Sequence, residues 1–255
     1  MPLKAVLFDL DETLLDWSNF NLDWRAKEAY HLAGVYDFVT AHGAGLNATP
    51  EVLQEHFSRR VRDAWASARA TLRSPHIGKL LVESLTHFGM VPDDTLTMDA
   101  CLEAYAWGAI EGVTVFPDVP ETLETLNAHG ILVGIVTNAF QPITMRDREL
   151  ADYDLLRYFP HAPGRICAAD VGYLKPHPYI FQHALKALDV DAAEAVFVGD
   201  NVVADISGAQ KVGMKAVLRV NDSNEPLATM IRPDASVRHL GELLTTLDEW
   251  FPGWR

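Results

Sequence analysis

Residues 5–13 read Ala5-Val6-Leu7-Phe8-Asp9-Leu10-Asp11-Glu12-Thr13, an unbroken apolar run that stops at two aspartates two positions apart. Continuous rather than alternating hydrophobicity marks a strand covered on both faces, as in a parallel sheet flanked by helices. The pattern recurs at 131–137, 165–168, 195–199 and 215–220, each run passing into polar or glycine-containing sequence. Between the runs lie helical patterns. Residues 120–129 carry Leu123 and Leu126 on one face with Gly130 as a stop, and Pro178–Leu188 carries Ile180, Phe181, Ala184, Leu185 and Leu188. This alternation predicts an α/β fold, a doubly wound parallel sheet of Rossmann-like form.

Residues 17–112 break the alternation. No comparable buried strand occurs there, and helix-period patterns follow one another. Thr49-Pro50-Glu51 reads as a helix start, with an N-cap hydroxyl, proline in the first turn and an acid at the positive end of the helix dipole. Leu53, Phe57, Val61, Ala64, Trp65 and Ala68 then form one stripe; Ile77, Leu80, Leu81, Leu85 and Phe88 form another, and a further helix is expected at about 97–107. The expected organisation is an α/β core made of 1–16 and 113–255, with 17–112 inserted as a helical cap. Arg62, Arg69 and Arg73 fall within ~40° of one another on a continued helix, a row that reads first as a solvated face.

The chain has 255 residues, enough for one large domain or a core with an inserted module, and 49% apolar residues to fill it. Against 21 basic residues stand 35 acidic ones, a net charge of −14 that disfavours nucleic acid and anionic lipid as partners. Cys101 and Cys167 are isolated and lack metal-site spacing. With no signal-peptide pattern and no apolar stretch near the ~18–20 residues of a membrane span, a cytoplasmic location is expected, with no membrane partner.

Ligands of open parallel sheets bind beyond the carboxyl ends of the strands. There the sequence places Asp9 and Asp11, then Thr137-Asn138, then Lys175-Pro176 ahead of a helix, then Gly199-Asp200 with Asp205. Asp9, Asp11 and Asp200 offer hard oxygen ligands suited to Mg²⁺, which commonly shares its shell with a substrate phosphate. Lys175 and the metal would offset a dianionic phosphoryl group among carboxylates, and Thr137 with nearby backbone amides could donate to its oxygens. None of the ten histidines forms an H-x-x-x-H pair, and neither G-x-G-x-x-G nor a P-loop occurs. Each polar residue alone reads as a turn or cap; together, in order and at one end of the sheet, they read as a site.

These residues resemble the haloacid dehalogenase superfamily, mostly magnesium-dependent phosphohydrolases that pass through an aspartyl-phosphate. Asp9-Leu10-Asp11-Glu12-Thr13 is similar to its first motif, Thr137 to the second, Lys175 to the third, and Gly199-Asp200 with Asp205 to the fourth. The resemblance implies a helical cap between the first and second motifs and a phosphatase acting on a small phosphorylated metabolite. Asp9 would be the nucleophile and Asp11 the general acid and base. The metal would be held by Asp9, the Asp11 carbonyl and Asp200, with Asp205 orienting Lys175 or a metal-bound water. Thr137, Asn138, Lys175 and Trp17 would contact substrate, and Asn19 and Trp24 also stand close after the first motif. Glu12 departs from the pattern, occupying a position where many members have glycine.

Three alternatives stay open at this level. A 2-haloacid dehalogenase would use Asp9 on carbon, but halide leaves without a proton and gives Asp11 and Asp200 little to do. A phosphomutase would need a second phosphate clamp that the sequence does not display. A catalytically silent interaction module would have no physical reason to keep acids that repel one another without a metal. The oligomeric state is not legible.

Overall fold

The computed structural model describes residues 2–221 and 231–255. In chain order its elements are β1 (Ala5–Phe8), β2 (Leu15–Asp16), α1 (Trp24–Ala41), α2 (Pro50–Thr71), α3 (Ile77–His87), α4 (Met98–Tyr105), β3 (Thr114–Val115) and α5 (Val119–Ala128). Then follow β4 (Leu132–Thr137), α6 (Ile143–Asp152), β5 (Arg165–Cys167), α7 (Ala168–Val171), α8 (Pro178–Leu188), β6 (Ala195–Gly199), a π-helical turn at Val202–Ser207 and α9 (Gly208–Lys211). The chain closes with β7 (Lys215–Arg219), β8 (Ala235–Val237) and α10 (Glu242–Trp250).

Six strands form one sheet in the order β5-β4-β1-β6-β7-β8, every pairing parallel. The opening apolar run is the central strand: Val6 pairs with Val133 on one side and Val196 on the other, and all four β1 residues are buried. Side chains alternate across a strand, so β1 feeds two cores. Val6 and Phe8 join Leu123, Leu126, Leu243 and Leu247 of α5 and α10 on one face, whereas Ala5 and Leu7 meet Ile180, Phe181, Ala184 and Leu188 of α8 on the other. The reversal of strand order at β1 places the ends of β1, β4 and β6 side by side.

Helices α1–α4 lie between β2 and β3, which pair antiparallel and so bring the two ends of the helical segment together. Leu53 and Phe57 of α2 and Ile77, Leu81 and Leu85 of α3 are buried in the same cluster as Leu32, Val35 and Val39 of α1. Thr49 caps α2 as its sequence predicts, accepting from Val52 N, and Leu72 ends the helix in a left-handed conformation. Beyond that stop the chain is extended, which corrects the arginine row: Arg73 is off the helix, bridging to Tyr173 and lying 4.2 Å over its ring. The helix expected at 97–107 ends at Tyr105, because Ala106 takes a left-handed conformation that stops it.

Backbone bonds tie the helical segment to the core loops: Ile77 N donates to Phe140 O at 2.8 Å, and Leu174 N donates to Leu72 O at 2.9 Å. The sixth strand, β8, has no apolar run to announce it; at three residues on the sheet edge, it needs burial on one face only. No helix among the described residues is long and apolar enough to cross a membrane.

Candidate active site

Strand ends β1, β4 and β6 converge with the loop before α8. Lys175 is buried there, its Nζ 2.7 Å from Asp9 Oδ1 and 2.7 Å from Asp205 Oδ1. The other Asp205 oxygen accepts from Asn201 N at 2.9 Å, and the Asn201 side chain caps the following π-helical turn through Val203 N and Ala204 N. Gly199 is required by this close approach: a Cβ there would collide with the Asp205 carboxylate. The main chain of Lys175 is clamped in turn, its N donating to Asn138 Oδ1 at 2.7 Å and its carbonyl accepting from Asn138 Nδ2 at 3.1 Å. Asn138, expected to contact substrate, is thus engaged by the lysine loop, and Thr137 stands buried at the end of β4 opposite Cys167.

Carboxylate oxygens of Asp9, Asp200 and Asp205 lie within 4.8 Å of one another. Lys175 brings one positive charge to these three acids. Burial pushes the Asp9 carboxyl up to about 8, with Lys175 opposing and Asp205 adding to the rise. Asp200 is pushed up to about 7, again by burial first and then by Asp205. Lys175 itself is raised, because the two carboxylates it touches outweigh its burial.

Asp11 faces a different neighbourhood. Both of its oxygens accept from Arg146 Nη2 at 3.0 Å, and Oδ1 also accepts from Trp17 Nε1 at 3.2 Å. Trp17 therefore sits against the first motif, its ring packed on Phe20 and Trp24. Asn19 is exposed and packs its carbonyl near Gly112 instead. His177 accepts from Tyr179 N at the start of α8 and stacks on Tyr173, a capping role. Glu12 has φ of 61°, the left-handed region, which explains why glycine suits that position.

The description "haloacid dehalogenase-like hydrolase" belongs to a family model that matches residues 3–213. The chain belongs to this family. Among its relatives, the ribulose-1,5-bisphosphate 5-phosphatase of Halopiger xanaduensis is 33% identical over 255 aligned positions, covering 94% of this chain and 97% of that protein. The glyceraldehyde 3-phosphate phosphatase of Pyrococcus furiosus is 40% identical, covering 84% of this chain and 80% of its own. Solved structures agree on the fold: a 2-haloacid dehalogenase from Pseudomonas syringae matches at TM-score 0.59 and 29% identity, covering 97% of this chain and 99% of that one. A HAD phosphatase from Thermococcus onnurineus matches at TM-score 0.56 and 26% identity, covering 96% and 98%.

The cation this family implies fits the residues present. Three hard carboxylates against one ammonium leave an excess of two negative charges, which a divalent ion would neutralise. Burial first, and the neighbouring Asp205 carboxylate after it, raise Asp9 and Asp200, so their ionised forms are costly without such a countercharge. Sequence reasoning missed Arg146, Glu149 and Trp107. On α6, Arg146-Asp147-Arg148-Glu149 are four charged residues in succession, yet Arg146 and Glu149 are buried beside Met145 and Leu150. The signal was their spacing, three apart on the face that the apolar pair marks.

Proposed function

We propose that this protein is a magnesium-dependent phosphatase acting on a small phosphorylated metabolite through an aspartyl-phosphate on Asp9. The observation that carries the reading is the pair of unlike carboxylates at one strand end: Asp9 touching the buried Lys175, and Asp11 turned into a separate set of donors. A nucleophile and a proton-transfer group two residues apart are what two-step phosphoryl transfer needs.

In the first step an Asp9 oxygen bonds to phosphorus and the P–O bond to the substrate breaks. Its electron pair goes to the departing oxygen, which takes a proton from Asp11. In the second, Asp11 accepts a proton from water as that water bonds to phosphorus, and the bond to Asp9 breaks to return its carboxylate. Lys175 keeps Asp9 oriented and carries positive charge towards the phosphoryl oxygens, while Thr137 offers a hydroxyl to them. Asp9, Asp200 and the Asp11 carbonyl would hold Mg²⁺, which when bound offsets the charge of the phosphoryl group. Helices α1–α4 serve as a cap that excludes bulk water and limits substrate size. The phosphatase names of the sequence relatives support sugar-phosphate-sized substrates.

The solved dehalogenases share the fold, but displacement of halide would leave the proton-transfer role of Asp11 and the three-acid cluster without a use. Phosphate release from an aryl phosphate, measured with Mg²⁺ and with chelator, tests the proposal. Metal-dependent turnover is expected; a folded protein that instead frees chloride from 2-chloropropionate and no phosphate would reverse it.

A further inference from the structure

We infer that Arg146 is the positioning residue of the Asp11 carboxylate, and that Glu149 and Trp107 hold the guanidinium in place from the side of the helical segment; this rests on the phosphatase reading. Arg146 is buried on α6 and places Nη2 3.0 Å from both Asp11 oxygens while Nη1 lies 2.9 Å from Glu149 Oε2. The same Glu149 oxygen accepts from Trp107 Nε1 at 2.8 Å. Trp107 stands just after α4, its ring parallel to that of Trp24 on α1 and tilted on His31. An unbroken chain of hydrogen bonds and ring contacts therefore runs from the acid/base residue to the first helix of the cap.

The arrangement is poorly explained as a staple. A buried ion pair is weak evidence for stability, since its desolvation cost rivals its attraction. This one also leaves Glu149 Oε1 and Arg146 Nε buried without a hydrogen-bond partner among the described residues, an avoidable cost if stability were the purpose. What a planar fork does supply is direction. Asp11 is bridged to Leu15 and precedes the left-handed Glu12, which fixes its main chain but not its side-chain torsions, so the direction of the carboxylate is left to the donors that face it. Arg146 reaches Asp11 alone among the aspartates of the site and is assigned no contact with substrate or phosphorus.

The test compares esters with different needs for a proton. An alkyl phosphate requires protonation of its leaving oxygen, whereas nitrophenolate leaves without it. With the Mg²⁺-loaded protein, Arg146→Gln is expected to lower the alkyl-to-aryl ratio of kcat/KM by ~10²-fold, the low end of what a proton-transfer group contributes. Arg146→Lys, which keeps the charge and the fold but loses the fork, is expected to lower it by ~10-fold. In an Asp11→Asn background, Arg146→Lys should change the ratio by less than ~3-fold, because the two residues act as one unit. A folded Arg146→Lys protein with the wild-type ratio, or an equal loss on both esters, overturns the inference while leaving the phosphatase reading intact. A wild-type protein inactive on both esters overturns the two together.

Discussion

Two aspartates separated by a single leucine face different sets of neighbours. Asp9 belongs to a group of three acids served by one lysine, and burial with mutual repulsion pushes its carboxyl up to about 8. Asp11 belongs to a group in which a guanidinium lies between two carboxylates and two indole N–H groups add donors. The first group is short of positive charge, with three carboxylates around one ammonium, and is the group a divalent cation would neutralise. The second draws its donors from within the chain, one guanidinium and two indoles shared by two carboxylates, and still leaves Glu149 Oε1 and Arg146 Nε without a partner among the described residues. The contrast teaches that one strand end can give two neighbouring carboxylates different surroundings by changing only what faces each, which is what the roles proposed for Asp9 and Asp11 require.

The most severe way to break the contrast is Asp9→Asn. An amide cannot form the acyl phosphate, so turnover should fall by ~10⁴ or more in steady-state assays; a variant within ~10-fold of wild type would remove Asp9 from the nucleophile role. Next comes the charge shortage itself. Mg²⁺ should raise the thermal midpoint, by an amount equivalent to about 2.7 kcal/mol at a hundredfold excess over Kd, and Asp200→Asn should shrink the shift. A midpoint indifferent to Mg²⁺ would mean that the acids are not a cation site.

On the Asp11 side the probe is Glu149, which burial pushes up to about 7 from 4.5 despite Arg146. A carboxyl raised on folding binds its proton more tightly in the native state, so its contribution favours folding at low pH and is lost as pH rises from about 4.5 through about 7. Glu149→Gln should therefore flatten the fall in denaturant midpoint between about pH 5 and about pH 8; an unchanged slope would assign the pH dependence to other groups. The smallest expected effect is at Glu12. Burial, then Asp16 and Asp11, raise its carboxyl, and its backbone is left-handed. Glu12→Gly relieves both strains but frees the unfolded chain, so stability should change by less than ~1 kcal/mol in urea melts.

The legible part of the molecule is the part whose information is local. Ala5–Phe8, Ala195–Gly199 and Pro178–Leu188 could be read residue for residue, because an apolar run or stripe of the right length has one buried solution. Helix stops depend on single left-handed residues such as Leu72 and Ala106, whose side chains give no warning, and so Arg73 was expected on a helix it does not join. The Arg146–Glu149 pair was hidden for a related reason. Charged residues are expected in solvent, and only the fold of α6 against the first motif makes them an interior pair.

By itself the sequence determined the α/β class, the order of the strand-end motifs and the residue types available for phosphoryl chemistry, since periodicity and chemical identity are properties of neighbouring positions. The tertiary structure alone decided which groups face one another: that Asn138 clamps the main chain of Lys175, that Asp205 shares Lys175 with Asp9, and that Asp11 turns to an arginine 135 residues away. Those pairings depend on distance in space and on the dielectric around each charge. Both arise only when the sheet closes and water is removed from its carboxyl end.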